Sequence, residues 1–490
     1  METNKEPALP SWDTDPANAR NWTLPKKLYN TAVPSFALAI YSPSHTHTQE
    51  TFHTSTTTSL LPFTTYVYGL AFGPMIAAPL SETYGRRLIY LLMTPLSLLF
   101  ILGAGFSTNI AALLICRLFA GLFISAPLAV GAGTIMDIWT GPAAHCAVVI
   151  LMTTAFLGPA IGSLVGGWIA EYKDWRWSQW TTLFLGAGLW AFSFGAKETY
   201  EKPIVRRRAA NIGLPVPPNP IPSGIPGIKV MLTSTLTRPL YMLLTEPTVL
   251  LCSLYSSLNF SVLFCFLACV PLVYSTVYDF SPGQCGLVFI ALAIGCLAGA
   301  GILLLNVIYS SRRPTAANTD AEPRPPETTL YPAMLGGPLM AASLFTFAWT
   351  TTEPRIHWIG GAIALGLFGC ANIMVFVSTA LYLASVYGAS HGASALAANG
   401  LLRYLVGGSF PLFTIACMYL ASLDMDHVPV HWPNPRTNKG VPFLAAVYNN
   451  LGFAWASSLL GFVAAAFAPL PWVFYAFGGR VRGRSFYAVA

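Results

Sequence analysis

The sequence predicts an all-α membrane protein in which twelve transmembrane helices form two six-helix bundles. Three observations carry this expectation. The 490-residue chain is 54% hydrophobic and only 9% charged, with a mean hydropathy of +0.57, which is too apolar and too poor in charge for a soluble domain. Its apolar residues gather into twelve runs close to the ~20 residues that cross a bilayer as a helix. A polar, proline-rich interval separates six runs from six, as expected for two bundles related by an internal repeat.

Taken in order, residues 1–27 form a polar tail with no apolar stretch and no small-residue cleavage site, so no removable signal peptide is expected. The first bundle, 28–196, holds runs at 28–46, 59–79, 89–106, 110–135, 146–170 and 176–195. Pro34 and Pro43 interrupt the first run, making it the least regular. Residues 197–246 read as a linker, with Arg206-Arg207-Arg208 and the Pro215 to Pro220 segment. The second bundle, 247–476, holds runs at 248–275, 284–308, 331–350, 357–386, 391–420 and 446–475, and a basic tail occupies 477–490.

Loop charge sets the expected orientation. With both termini in the cytosol, most of the 26 basic residues fall on the cytosolic side, including Arg86, Arg87, Lys197, Arg206, Arg207, Arg208, Arg238, Arg312, Arg313, Arg480 and Arg482. Lys173, Arg176, Arg355, Arg436 and Lys439 fall on the other side, and Arg117 and Arg403 lie within spans. The formal net charge of +7 is thus spread as short flanking clusters, which argues for membrane topology and against nucleic-acid binding. Six of the 9 cysteines (Cys116, Cys252, Cys265, Cys269, Cys296 and Cys370) sit inside apolar runs without metal-site spacing, so neither a zinc site nor a disulfide framework is expected. Two outward loops carry histidines, 42–58 with His45, His47 and His53 and 424–442 with His427 and His431, but no ligand set of defined geometry.

Several motifs point to function. Ala78 to Arg87 is a charged turn between two apolar runs, in which Glu82 can pair with Arg86 and Arg87 across the turn or the arginines can act as simple topology anchors. Arg117 lies within the fourth run, and a guanidinium there costs roughly 2.5–3.5 kcal/mol on insertion scales, so it faces the bundle interior or snorkels to the nearby interface. The fifth run contains Gly158, Pro159, Gly162, Gly166 and Gly167, whose spacing permits close helix approach and a bend at the proline.

These stretches, in this order, resemble the major facilitator superfamily, in particular its fungal twelve-span drug:proton antiporter branch of multidrug and polyamine exporters. The Ala78 to Arg87 stretch resembles the loop between spans 2 and 3, with Ala78 where many members have Gly and Glu82 where many have Asp. The resemblance implies a gating charge relay of Glu82, Arg86, Arg87 and Asp137, a proton-coupling role for Arg117, and an antiporter helix motif at Gly158, Pro159, Gly162, Gly166 and Gly167. His145 stands where many relatives carry arginine. Lys197-Glu198-Thr199-Tyr200 resembles the close of the first bundle, and Ser394 to Asn399 with Arg403 and Phe410-Pro411 resembles span 11.

A substrate site near mid-depth between the bundles is expected. Tyr66, Tyr255, Asn259, Asn372, Asn399 and Tyr404 are its candidates, each equally able to serve in packing. The absence of a midspan carboxylate in spans 1, 7, 8, 10 and 11 disfavours polyamines and favours an apolar or weakly polar compound. The resulting expectation is a monomeric exporter of a small hydrophobic organic molecule, in the plasma membrane, driven by protons and needing no cofactor. Facilitated uniport and a transporter-like nutrient receptor are the alternatives. An enzyme is not expected, since no catalytic set clusters in the sequence.

Overall fold

The computed structural model describes residues 12–35, 45–213, 233, 237–312, 325–351, 355–422, 457–483 and 485–488, which form helices, turns and short connections. The first half comprises α1 (Leu24–Ser35), α2 (His45–Phe52), α3 (Thr56–Tyr84), α4 (Arg86–Gly105), α5 (Ile110–Ile138), α6 (Gly141–Tyr172), α7 (Arg176–Ser193) and α8 (Glu201–Ile212). The second comprises α9 (Arg238–Thr245), α10 (Pro247–Tyr278), α11 (Pro282–Arg312), α12 (Tyr331–Thr350), α13 (Ile359–Ser422) and α14 (Leu470–Arg482). Among the described residues, nine helices are long and apolar enough to cross a membrane: α3 to α6, α10 to α12, the first part of α13, and Ser457–Arg482, which ends in α14.

Three expected spans fall outside that set for identifiable reasons. α1 covers the start of the first, whose remainder, 36–44, lies outside the described residues. α7 occupies the sixth but carries Ser178, Gln179, Thr181 and Thr182 in only 18 residues. The eleventh is the second part of α13, whose side chains from 413 to 422 lie outside the described residues; the helix turns sharply at Gly388 (φ 57°, ψ −163°) between the two expected runs. A side chain disfavours that conformation, so glycine supplies the turn.

Lipid is the solvent for most of this surface, so packing between helices relies on close backbone approach rather than on hydrophobic expulsion from water. Large apolar side chains such as Leu99, Phe184, Leu244 and Leu305 point outward. Inside each bundle the same device recurs. An added Cβ at Gly69 in α3 would lie 2.6 Å from the Leu122 backbone nitrogen of α5, and one at Gly299 in α11 would lie 2.7 Å from the Cys370 carbonyl oxygen of α13. The second and fourth spans therefore cross as the eighth and tenth do. Between the bundles, α3 packs on the second part of α13 and α6 packs on α11, two seams that exchange under a six-span shift. One apolar cluster runs across both halves, joining Val67, Met75 and Phe156 to Phe260, Leu292 and Phe376.

Two connecting segments have more structure than their sequence suggests. In the N-terminal tail, Ala19 and Trp22 pack against Ile138, and Asp15 forms an ion pair with Arg208 of α8. The adjacent guanidinium holds the Asp15 carboxyl below the usual carboxylate range. The expected linker begins as helix α8, because no proline follows Pro203 before Gly213, which closes the helix in a left-handed conformation (φ 77°).

Candidate functional site

One end of the molecule carries the α3–α4 turn, α8 and the arginines of α14, and is called here the basic end; the opposite is the far end. At the basic end, Gly85 (φ 103°) breaks the chain between α3 and α4. Its missing side chain leaves room for Glu198, whose carboxylate accepts hydrogen bonds from the backbone N–H groups of Arg86 (2.8 Å) and Arg87 (3.2 Å). A helix N-terminus leaves such donors unsatisfied and favours negative charge, so Glu198 caps α4 in both respects. The Arg86 side chain donates to Asp137 Oδ2 (3.2 Å) and Ser81 Oγ (2.6 Å) and lies 4.9 Å from the Tyr200 ring. Thr199 Oγ1 donates to the same Asp137 oxygen at 3.2 Å. Arg87 reaches the Phe194 carbonyl at 3.4 Å.

Of the expected relay, the structure brings Arg86 and Asp137 together, places Arg87 beside them, and leaves Glu82 exposed on the last turn of α3. Among the described residues the Glu82 side chain has no hydrogen bond or ion pair. Glu198 stands in the place the sequence suggests for Glu82. Its nearness to Arg86, across 112 residues, was not legible in either stretch alone, although the Lys197 to Tyr200 motif marked the position. His145 is exposed at the start of α6. Replacing Glu198 by glutamine is expected to lower stability by about 2 kcal/mol, since charge-assisted hydrogen bonds contribute ~1.5–3 kcal/mol and an amide turns one acceptor into a donor. Thermal unfolding of the purified protein checks this, and an unchanged midpoint would count against the cap.

A second acid network closes the basic end of the other bundle. Arg482 pairs with Glu327, and Glu246 accepts from Tyr387 Oη at 3.1 Å and from the Phe486 backbone at 3.3 Å. Each of these two basic-end networks stays within its own bundle. The bundles are hydrogen-bonded to each other at mid-depth, where Tyr68 Oη lies 2.7 Å from Ser409 Oγ, and toward the far end, where Glu171 accepts from Ser281 Oγ and the Gly283 backbone, both at 2.8 Å. The glycine helix lies on this far-end seam. An added Cβ at Gly167 would sit 2.5 Å from the Pro282 carbonyl oxygen, and one at Gly286 would sit 3.0 Å from the Leu164 oxygen. Gly158, Gly162 and Gly166 are buried on α6, and Pro159 is half-buried beside them.

At mid-depth the two halves meet through aromatic rings. Phe156 of α6 lies 5.3 Å from Phe260 of α10 and 5.0 Å from Phe376 of α13. The Arg403 guanidinium lies 4.4 Å from Phe260, 4.6 Å from Phe376 and 4.5 Å from Tyr404. Arg117 is buried and lies 5.6 Å from the Tyr66 ring, which has both Arg117 and Tyr404 within electrostatic reach. Burial settles Arg117 as an inward-facing residue rather than a snorkelling one. Arg403 was visible in the sequence as a basic residue within a span and as part of the stretch that resembles span 11; Phe260 of α10 and Phe376 and Tyr404 of α13 give it a setting.

The remaining substrate candidates divide. Tyr66 and Tyr404 belong to the midplane group. Asn399 donates to Ser256 Oγ (3.1 Å) and the Cys252 carbonyl (3.4 Å), a contact between α13 and α10 within one bundle. Tyr255 stacks on Phe467 at 5.9 Å and packs against Gly337 of α12, on the side of α10 away from the opposite bundle. Asn259 and Asn372 are fully buried, and their amide atoms lack hydrogen-bond partners among the described residues. The loop 424–442 with His427 and His431 lies outside the described residues, as do the side chains of His45 and His47.

Two equivalent helical bundles meeting at paired seams around a polar, aromatic centre at mid-depth define a membrane transporter. Residues 29–411 match the family model of the Major Facilitator Superfamily. The chain is similar to Polyamine transporter 4 of Saccharomyces cerevisiae, at 32% identity covering 100% of this chain and 75% of that protein. It is also similar to the MFS-type efflux pump MFS2 of Trichophyton rubrum, at 33% identity covering 99% of this chain and 78% of that protein. Among solved structures, the proton:xylose symporter XylE shares the fold with a TM-score of 0.61 at 14% identity, covering 92% of this chain and 94% of that one. The chain belongs to the Major Facilitator Superfamily.

Proposed function

We propose that this protein exports a small, hydrophobic organic compound across the plasma membrane by alternating access, in exchange for protons, with its basic end and both termini in the cytosol. The observation that carries the reading is the pair of equivalent seams, α3 with α13 and α6 with α11, around a shared midplane group. A rocking motion opens one end as it closes the other. The glycine contacts and the Glu171 bonds tie the far end in this structure, the arrangement of a cytosol-facing state. Glu82, exposed beside the Arg86–Asp137 pair, is then free to engage the other bundle when the cytosolic end closes. Arg86, Arg87 and Asp137 hold the turn that presents it. The protein works as a monomer, since one chain supplies both halves of the site.

The named activity of the yeast relative is not carried over. A polycation needs carboxylates at mid-depth, and here the fixed charges at that depth are Arg117 and Arg403. The lack of a midspan carboxylate also favours a second reading, facilitated uniport, because an acid commonly loads and unloads the proton. Sealed inside-out vesicles with an imposed pH gradient separate the two. For antiport, a verified substrate accumulates with the gradient and reaches only its external concentration once the gradient and membrane potential are collapsed. Equal accumulation under both conditions would overturn proton exchange.

A further inference from the structure

We propose that Arg403 and the rings around it recognise an organic anion, with a carboxylate-type group carried on an apolar, ring-containing body. This rests on the transport function proposed above and names its substrate class. Charge placement is the first argument. All 19 acidic residues of the sequence fall outside the twelve apolar runs, whereas Arg117 and Arg403 fall within them. Among the described residues no carboxylate pairs with Arg403, and a buried charge without a counter-charge is expensive.

The setting of Arg403 says what would balance it. Phe260, Phe376 and Tyr404 lie 4.4–4.6 Å from the guanidinium carbon. Aromatic rings stabilise a cation through their electron-rich faces but bring no net charge. A guanidinium carries five N–H donors along its edge, and that edge matches a carboxylate in a two-point contact. Nε of Arg403 has no hydrogen-bond partner among the described residues. That nitrogen is itself buried, while the residue as a whole is half-buried.

The same rings suit the body of the ligand. Phe156 reaches the Arg403 cage from the opposite bundle, so a flat apolar body lying there touches both halves, as a transported molecule must. A cationic amine would meet the same rings but would be repelled by Arg403.

Matched probes test this on the purified full-length protein: 1-naphthoate, the neutral 1-naphthamide and the cationic 1-naphthylmethylammonium, with biphenyl-4-carboxylate as a second anion. Isothermal calorimetry is expected to give at least one of the carboxylates an affinity ten-fold or more above the amide, with the ammonium weakest. Arg403→Gln should erase the preference while leaving amide affinity within about two-fold, and Arg403→Lys should retain part of it. A purely structural arginine would lower the melting temperature of these variants without moving the order of the probes. If Arg403→Gln does not fold, the order of the probes on the unaltered protein decides. The proposal is overturned if neither carboxylate binds, if the amide or ammonium binds as tightly, or if the preference survives in Arg403→Gln. Proteoliposome uptake separates the two levels. Anion binding at Arg403 without uptake keeps this inference and sinks the transport function, whereas transport of neutral or cationic compounds unaffected by Arg403→Gln does the reverse.

Discussion

Replacing Gly167 by leucine is expected to reduce transport at least ten-fold while leaving a folded protein in the membrane. The site lies on the α6–α11 seam, where even a Cβ would sit 2.5 Å from the Pro282 carbonyl and 3.1 Å from the Gly286 Cα. Both neighbours are backbone, so they cannot rotate out of the way. Forcing extra methylenes into a packed contact costs about 1–3 kcal/mol, and 1.4 kcal/mol already shifts an equilibrium ten-fold. That cost falls on the far-end-closed arrangement alone, because the contact joins two bundles that each remain intact. Impermeant labelling from the far side should therefore increase in the variant as uptake falls. Wild-type uptake with unchanged labelling would show that the seam does not tighten during transport.

Removing the charge at Arg117 is expected to produce the other large effect, a loss of gradient-driven transport with substrate exchange retained. Arg117 stands seven residues after the start of the 29-residue helix α5, about 10 Å along its axis. It is buried against Tyr66. A fixed charge in such a place acts on any proton or charged group that enters the midplane. At ~8 Å and an effective dielectric constant near 20, the interaction is about 2 kcal/mol, or roughly thirty-fold in an equilibrium constant. Arg117→Gln should thus cut accumulation driven by a pH gradient by more than ten-fold in vesicles, whereas counterflow, which needs no net proton movement, should persist. Arg117→Lys keeps the charge and should recover part of the coupling. Accumulation at the wild-type level in the glutamine variant would remove Arg117 from the proposed proton exchange.

The two residues at mid-depth were not equally visible beforehand. Arg117 announced itself, because a charge within an apolar run has few places to go and the family resemblance implies a role for it. Arg403 lay in a run with a comparable resemblance, but its meaning depends on Phe260 and Phe376, which come from other helices. No periodicity along one span reports what faces it from another. The same reason explains Glu82 and Glu198. Local spacing favoured a pair within the Ala78 to Arg87 turn, yet the α4 N-terminus directs its free N–H groups toward the segment after α7, and Glu198 occupies that position.

What the sequence determined by itself is the part of this protein governed by its solvent. Lipid demands long apolar helices, charges at their ends and glycine where backbones touch, and each of these is written locally in the chain. The runs, the break near Gly388, the basic loops and the small-residue pattern of α6 follow from that requirement. Only the tertiary structure decided which side chains meet: the carboxylate that caps α4, the seams that pair α3 with α13 and α6 with α11, and the cage of rings around Arg403. Those contacts join residues far apart in the chain, and their energies depend on distances that appear only when the bundles have packed.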